Sequence, residues 1–188
     1  MKKTLLAVVL GTLTIATTAN ANWYVQGDLG VSKTEIQDAD IKKTHFEPRI
    51  SVGYKLQDFR LALDYTHYKN LTDNYGIAGV KGNSETKIRG IGLSAIYDIP
   101  VEISVKPYVG VRLAINRLEL EDNYIENSTA NYDSYKETGL GYGAVVGVQY
   151  PLIQNLHLNA GLEYNRLGKI DDAKVNNYGA KVGLRYDF

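Results

Sequence analysis

Cysteine is absent from the 188 residues, so no disulfide staples the fold and no thiolate is on hand for a metal or a nucleophile. Basic charge is not in excess either. Lysine plus arginine and aspartate plus glutamate number 21 each, which excludes the strongly cationic surface that nucleic acid requires. A helical period is missing as well: no stretch keeps apolar residues at a spacing of 3.6. Long hydrophobic runs are confined to one place, Leu5 to Ile15, which falls well short of the ~20 residues of a membrane-spanning helix.

That run follows Lys2 and Lys3 and precedes Ala19-Asn20-Ala21, the charged, apolar and small-residue order of a secretory signal peptide. Residues 1–21 are therefore expected to be removed, and 22–188 to form the mature domain. Loss of Lys2 and Lys3 from the balanced chain leaves a net charge of −2.

What is present is a period of two, repeated through eight segments. NWYVQGDLGVS puts Trp23, Val25, Gly27, Leu29 and Val31 on one face, with Tyr24, Gln26, Asp28, Gly30 and Ser32 on the other. HFEPRISVGYKL, FRLALDYTHYK, KIRGIGLSAIYD, SVKPYVGVRLAINR, TGLGYGAVVGVQY, LHLNAGLEYNRL and VNNYGAKVGLRYDF repeat the pattern. Each has at least the ~9 to 11 residues of a tilted membrane strand. Connections alternate between short (Gln57-Asp58, Ile99 to Ile103, Pro151 to Asn155) and long and polar (Lys33 to Thr44, Asn70 to Thr86, Leu118 to Glu137), with Gly168 to Lys174 a shorter fourth on the long side.

This predicts an all-β, eight-stranded antiparallel transmembrane barrel with short periplasmic turns and longer extracellular loops. The competing soluble barrel would need its apolar face inside. Here the charged face is also glycine-rich and too thin to fill a core, so the apolar face is assigned to lipid.

Aromatic residues test that assignment, because a membrane barrel carries them in two interfacial girdles. Trp23, Tyr54, Phe59, Tyr97, Tyr150, Tyr186 and Phe188 fall at the lower strand ends, and Phe46, Tyr65, Tyr142, Tyr164 and Tyr178 near the upper ends. Strand eight is expected to pair with strand one, leaving no edge in lipid. Its terminal Phe188, with apolar residues at alternate positions before it, resembles the signal read by the outer-membrane assembly machinery.

Inward positions include Asp28, Glu47, Arg49, Arg60, Asp64, Lys106, Arg112, Glu163, Lys181 and Arg185, of both signs. Eight strands enclose only enough room for side chains, so a plug of ion pairs is expected, with Asp28, Arg49, Asp64, Arg112, Glu163 and Lys181 as its network. Gly139, Gly141, Gly143 and Gly147 leave a narrow, low-conductance path open as the lesser alternative, against glycines that relieve crowding.

Nothing in the sequence makes a catalytic, cofactor or metal site. The three histidines, His45, His67 and His157, are read as rim or surface residues without triad partners. GIGLSAI lacks the last glycine of a nucleophile elbow, and GLGYGAVVG is followed by no helix. The acidic residues of the third loop and Asp171-Asp172 lack the spacing of a calcium site.

PRISVGYKLQDFRLALDYTHYKN, KPYVGVRLAINR, AGLEYNRLGK and VGLRYDF together resemble the opacity family of outer-membrane proteins, in strand order and over nearly all of the mature chain. The resemblance implies a Gram-negative outer-membrane location, contact with outer-membrane lipid, and adhesion through the second and third loops, in the best-known members to carcinoembryonic-antigen-related receptors or heparan sulfate. The third loop here carries Glu119, Glu121, Asp122, Glu126, Asp133 and Glu137 against Lys136, a balance that repels sulfated glycans and favours a host-cell surface protein. Tyr75 and Ile77 on the second loop and Tyr124, Ile125, Tyr132 and Tyr135 on the third are candidate anchors for such a partner; equally, they would pack the loops on themselves. A structural envelope barrel without a ligand, or a narrow porin, stands as the alternative function. No cofactor is expected.

Overall fold

The structure, a computed structural model, describes residues 22–36, 41–77, 80–126, 129–170 and 173–188. Within these, 36, 41–43, 69–77, 80–86, 118, 120–126, 129–135, 169–170 and 173–174 are described by backbone alone. The expected signal peptide, 1–21, lies outside the described residues.

Eight antiparallel strands run β1 (Trp23–Ile36), β2 (Ile41–Leu56), β3 (Phe59–Ile77), β4 (Val80–Asp98), β5 (Lys106–Glu126), β6 (Thr129–Ile153), β7 (Leu156–Ile170) and β8 (Ala173–Asp187). Each pairs with its sequence neighbours and β8 returns to β1, which closes the barrel. At the seam the Phe188 amide donates to the Trp23 carbonyl at 3.0 Å. No strand edge is left for lipid to meet, as a bilayer demands of backbone groups that water cannot satisfy.

Alternation decides which way each side chain faces. Val52, Leu63, Leu93 and Leu113 follow one another across β2 to β5 in register and are all exposed. Rows of this type give the barrel an apolar outer surface, while Asp28, Arg49, Arg60, Asp64, Arg112, Glu163 and Arg185 are buried inside. Lys106 lies on the inward row of β5 but at the open short-turn mouth, so it is exposed rather than enclosed.

The two ends differ. At one, Gln57-Asp58 joins β2 to β3 in two residues, with Gln57 at φ 54°, in the left-handed region. At the other, much of what polarity marked as long loops is strand: β3 and β4 stay paired out to Ile77–Val80, and β5 and β6 to Glu126–Thr129. Thr, Asn and Tyr are adequate strand formers, and the ladder satisfies their backbone groups beyond the apolar band. A register shift between Tyr68 and Leu71 marks where β3 leaves the barrel wall proper.

Candidate functional site

Three layers of inward side chains fill the lumen. In the middle layer Arg49 Nη2 contacts Glu163 Oε1 at 2.7 Å and Glu47 Oε1 at 3.1 Å, while its Nε lies 3.7 Å from Asp64 Oδ1. Arg112 Nη2 meets Asp64 Oδ1 at 2.6 Å, and Lys181 Nζ meets Glu163 Oε2 at 3.0 Å. Three cations thus face three carboxylates, and Thr66 and Asn165 take or give the remaining hydrogen bonds. Asp28, placed in the same network by sequence, sits opposite Arg49 in register, but its carboxylate accepts from the Gln26 amide at 2.9 and 3.1 Å.

Toward the short-turn mouth, Arg60 Nη2 donates to Asp98 Oδ1 at 2.7 Å, and its guanidinium lies 5.1 Å from the Tyr108 ring centre. Arg185 stands 5.5 Å from the Tyr24 ring and donates to Gln149 and Asp187, each at 2.7 Å. Such guanidinium–aromatic contacts keep a charge enclosed without an equal number of carboxylates. His157 Nε2 lies 3.2 Å from Asp187 Oδ2 at the rim, where sequence put it.

Toward the hairpin end, His45 is buried rather than on the rim. Its Nε2 lies 3.0 Å from Ser32 Oγ, within a polar set that includes Thr34, Glu47 and Asn177. The inward row of β2 carries His45 into the lumen beside the inward row of β1. Above it, Tyr68, Ile88, Leu167 and Val175 form a buried apolar cluster.

Apart from Gly139, where an added Cβ would meet only the backbone of Leu167 and Gly168 at 3.6 Å and beyond, the inward glycines do not leave a gap. A Cβ on Gly53 would overlap the Tyr24 ring, one on Gly92 the Arg112 guanidinium, and one on Gly143 the Asn165 amide. Tyr108 lies over both Gly147 and Gly161. Glycine here makes room for a neighbour's large side chain. Among the described residues the middle layer keeps a cavity of about 30 Å³ lined by Asp28, Arg49, Asp64, Arg112, Glu163 and Lys181, and one of about 10 Å³ beside Ser32 and Glu47, which is room for a few water molecules. Among the described residues, a wider cavity of about 300 Å³ opens at the short-turn mouth, beside Lys55, Asp58, Glu102 and Lys106.

Outside, the aromatic residues pair where the girdles were expected. Trp23 and Tyr54 meet edge to face at 5.2 Å and Tyr186 and Phe188 at 5.3 Å, while Phe59 and Tyr97 are tilted against each other at 4.8 Å, all near the short-turn end. Phe46, Tyr65, Tyr142, Tyr164 and Tyr178 are exposed on the outer face toward the hairpin end, and Tyr150 toward the short-turn end. Tyr164 donates to Asn176 at 3.0 Å.

The candidate anchors Tyr75, Ile77, Tyr124, Ile125, Tyr132 and Tyr135 all lie on the outer hairpins, and their side chains are outside what is described. Backbone register sets Tyr75 and Tyr124 in one row on either side of Gly82, with Tyr132 in the adjacent row. Lower on the same hairpins, Lys136 Nζ lies 3.1 Å from Glu119 Oε1. That hydrogen bond, with Arg117 and Arg89 nearby, holds the Glu119 carboxyl below the usual carboxylate range.

Comparison with known sequences decides the family. The sequence profile described as "Opacity family porin protein" matches residues 52–188. This chain belongs to the opacity family. An uncharacterized protein of Haemophilus influenzae is 41% identical over the whole length of both chains. Protein opa of the same organism is 42% identical over 73% of this chain and all of its own. Among solved structures, Neisserial surface protein A superposes with a TM-score of 0.66 at 34% identity, covering 89% of this chain and 98% of that one.

As an opacity-family barrel the protein resides in the Gram-negative outer membrane and is not an enzyme. Within it, the Arg60–Asp98 pair, the Tyr24–Arg185 and Tyr108–Arg60 stacks and the His45–Asn177 group were not singled out by sequence. Their positions on inward rows were readable. Their partners, on the neighbouring strand or the one beyond it and offset in register, were not.

Proposed function

We propose that this opacity-family barrel is a surface adhesin whose outer hairpins contact a protein on host cells. The observation that carries the reading is the β3–β4 and β5–β6 ladders, which continue well past the girdle residues Tyr65 and Tyr142. Two ladders side by side make a stiff blade, and a preorganised surface loses less entropy on binding than a free loop would. Tyr75, Ile77, Tyr124, Ile125, Tyr132 and Tyr135 supply amphipathic area of the type that anchors interfaces. In this reading the hairpins are extracellular and both termini periplasmic. The β8 strand, with Tyr186 near its end and Phe188 just beyond it, is then what the assembly machinery engages.

The packed lumen supports a second reading, a ligand-free envelope barrel, over a porin. An adhesion assay separates them. Bacteria displaying the intact barrel are compared with bacteria in which 70–86 and 118–137 are cut to tight turns, at equal surface display. Adhesion to epithelial cells that falls to background on trimming supports the adhesin; adhesion unchanged, or absent from both, leaves the envelope barrel.

A further inference from the structure

Exposed cations on the outer face are not spread evenly. On β4, β5 and β6 the apolar row Ile91, Ile115 and Leu140 faces outward and is well exposed. The next outward row toward the hairpin end is Arg89, Arg117 and Thr138, and the one after it Lys87, Glu119 and Lys136. Arg89, Arg117 and Lys136 are all exposed. At the short-turn end, by contrast, the described cations Lys55, Arg60, Lys106 and Arg185 sit on inward rows or line the mouth.

Arg89 and Arg117 are direct cross-strand partners. Like charges placed opposite each other destabilise a sheet. Glu119 offsets part of this, lying 3.1 Å from Lys136 and 4.0 Å from Arg117, but among the described side chains of these two rows it is one carboxylate against Lys87, Arg89, Arg117 and Lys136. An anion between the two arginines would turn the repulsive pair into a clamp, since guanidinium groups bind phosphate through paired hydrogen bonds. What adjoins the patch is a lipid-facing apolar surface, so the anion that fits is one carried at the head of acyl chains.

We infer that Arg89, Arg117 and Lys136 form a site for the phosphate groups of an outer-leaflet glycolipid, whose acyl chains lie along Ile91, Ile115 and Leu140. The site rests on the orientation proposed above, with the hairpin end outside the cell. It would fix the barrel's depth in the leaflet and hold the base of the β4–β6 blade.

The test uses the full barrel refolded in zwitterionic detergent and titrated with bis-phosphorylated lipid A, with its dephosphorylated form, and with inorganic phosphate, occupancy being read by native mass spectrometry. The site predicts retention of phosphorylated lipid A over the dephosphorylated form, and a loss of about tenfold or more in affinity for R89Q/R117Q. Lys106→Gln, at the other mouth, should bind as wild type does. Heat-modifiable gel migration confirms that each variant is folded. Equal retention of the two lipid forms, or equal binding by wild type and R89Q/R117Q, overturns the site, and so does free phosphate competing as well as the lipid.

Orientation is read separately, by an impermeant maleimide on intact cells carrying Thr129→Cys. Labelling from outside with no lipid discrimination sinks the phosphate site and leaves the adhesin reading standing. Labelling only after permeabilisation sinks the outer-leaflet assignment and the adhesin reading together.

Discussion

Arg49 and Glu163, 114 positions apart in sequence, meet across the lumen through two hydrogen bonds of 2.7 and 2.9 Å. Both are almost wholly enclosed. Arg49 also touches Glu47 and Asp64, so a single guanidinium ties three carboxylates, on β2, β3 and β7, into one unit.

Removing a member of such a network strands the charges it balanced, a loss of about 3–5 kcal/mol for a buried pair. Arg49→Gln leaves Glu47, Asp64 and Glu163 in excess and should be the most destabilising of the set. Glu163→Gln should cost about 3 kcal/mol, mainly by leaving Lys181 alone, and Lys181→Gln less, because Lys181 retains some solvent access. The double variant Glu163→Gln/Lys181→Gln should lose much less than the sum of the singles. Urea midpoints of the refolded barrel, read as the folded fraction on unheated gels, would show this order. Equal costs for all three singles would mean that the network does not act as a unit.

The glycines offer a sharper contrast. Gly27 faces outward with nothing within 4 Å of an added Cβ, so Gly27→Ala should stabilise by about 0.5–1 kcal/mol through loss of unfolded-chain freedom. At Gly53 the same methyl group would enter the Tyr24 ring, which Arg60 and Arg185 hold in place. Gly53→Ala should therefore cost about 1–3 kcal/mol, as overpacking does. Finding the two substitutions equivalent would contradict the filled lumen.

Facing direction was legible in the sequence because a strand's period is two and lipid leaves no ambiguity about which face is apolar. That rule places Asp64 and Arg112 inside and Leu63 and Leu113 outside, as they stand in the barrel. Who meets whom was not legible. Arg49 reaches Glu163 on β7, and Arg60 reaches Asp98 on β4, through the stagger of a closed barrel, which alternation does not encode. The hairpins were obscured for a different reason: Thr72, Asn74, Asn83 and Ser84 look like loop by polarity, yet each pairs in the β3–β4 ladder. His45 was misjudged because a strand end looks like a rim until its row is followed inward to Ser32 and Asn177.

Gln57 carries a side chain in left-handed backbone, at φ 54°, in the two-residue turn between β2 and β3. That conformation costs an L-residue about 1–2 kcal/mol and glycine almost nothing, while glycine's own flexibility returns part of the difference. Gln57→Gly should raise stability by up to about 1 kcal/mol. Gln57→Val should lower it, since branching at Cβ makes positive φ worse. Thermal shifts of the heat-modifiable band on gels would read both, and a stabilising valine would mean that the turn relaxes out of the left-handed region.

Ion passage depends on the narrowest continuous stretch of the lumen. An ion crossing this barrel would have to pass the Tyr68–Ile88–Leu167–Val175 cluster, then the Arg49–Glu163 and Arg112–Asp64 pairs, then Arg60 and Arg185 against Tyr24 and Tyr108. The first layer offers an ion little polar contact to replace its water, and the second offers only charges already paired. Planar-bilayer recordings should therefore show no long-lived, ohmic openings for the intact protein. Tyr68→Ala/Leu167→Ala, which truncates the two largest side chains of the apolar layer, should admit water without adding a stable step, because the ion pairs beneath it remain. Long-lived openings in the intact barrel would mean that the three layers rearrange together, and would move the protein from adhesin or envelope barrel to porin.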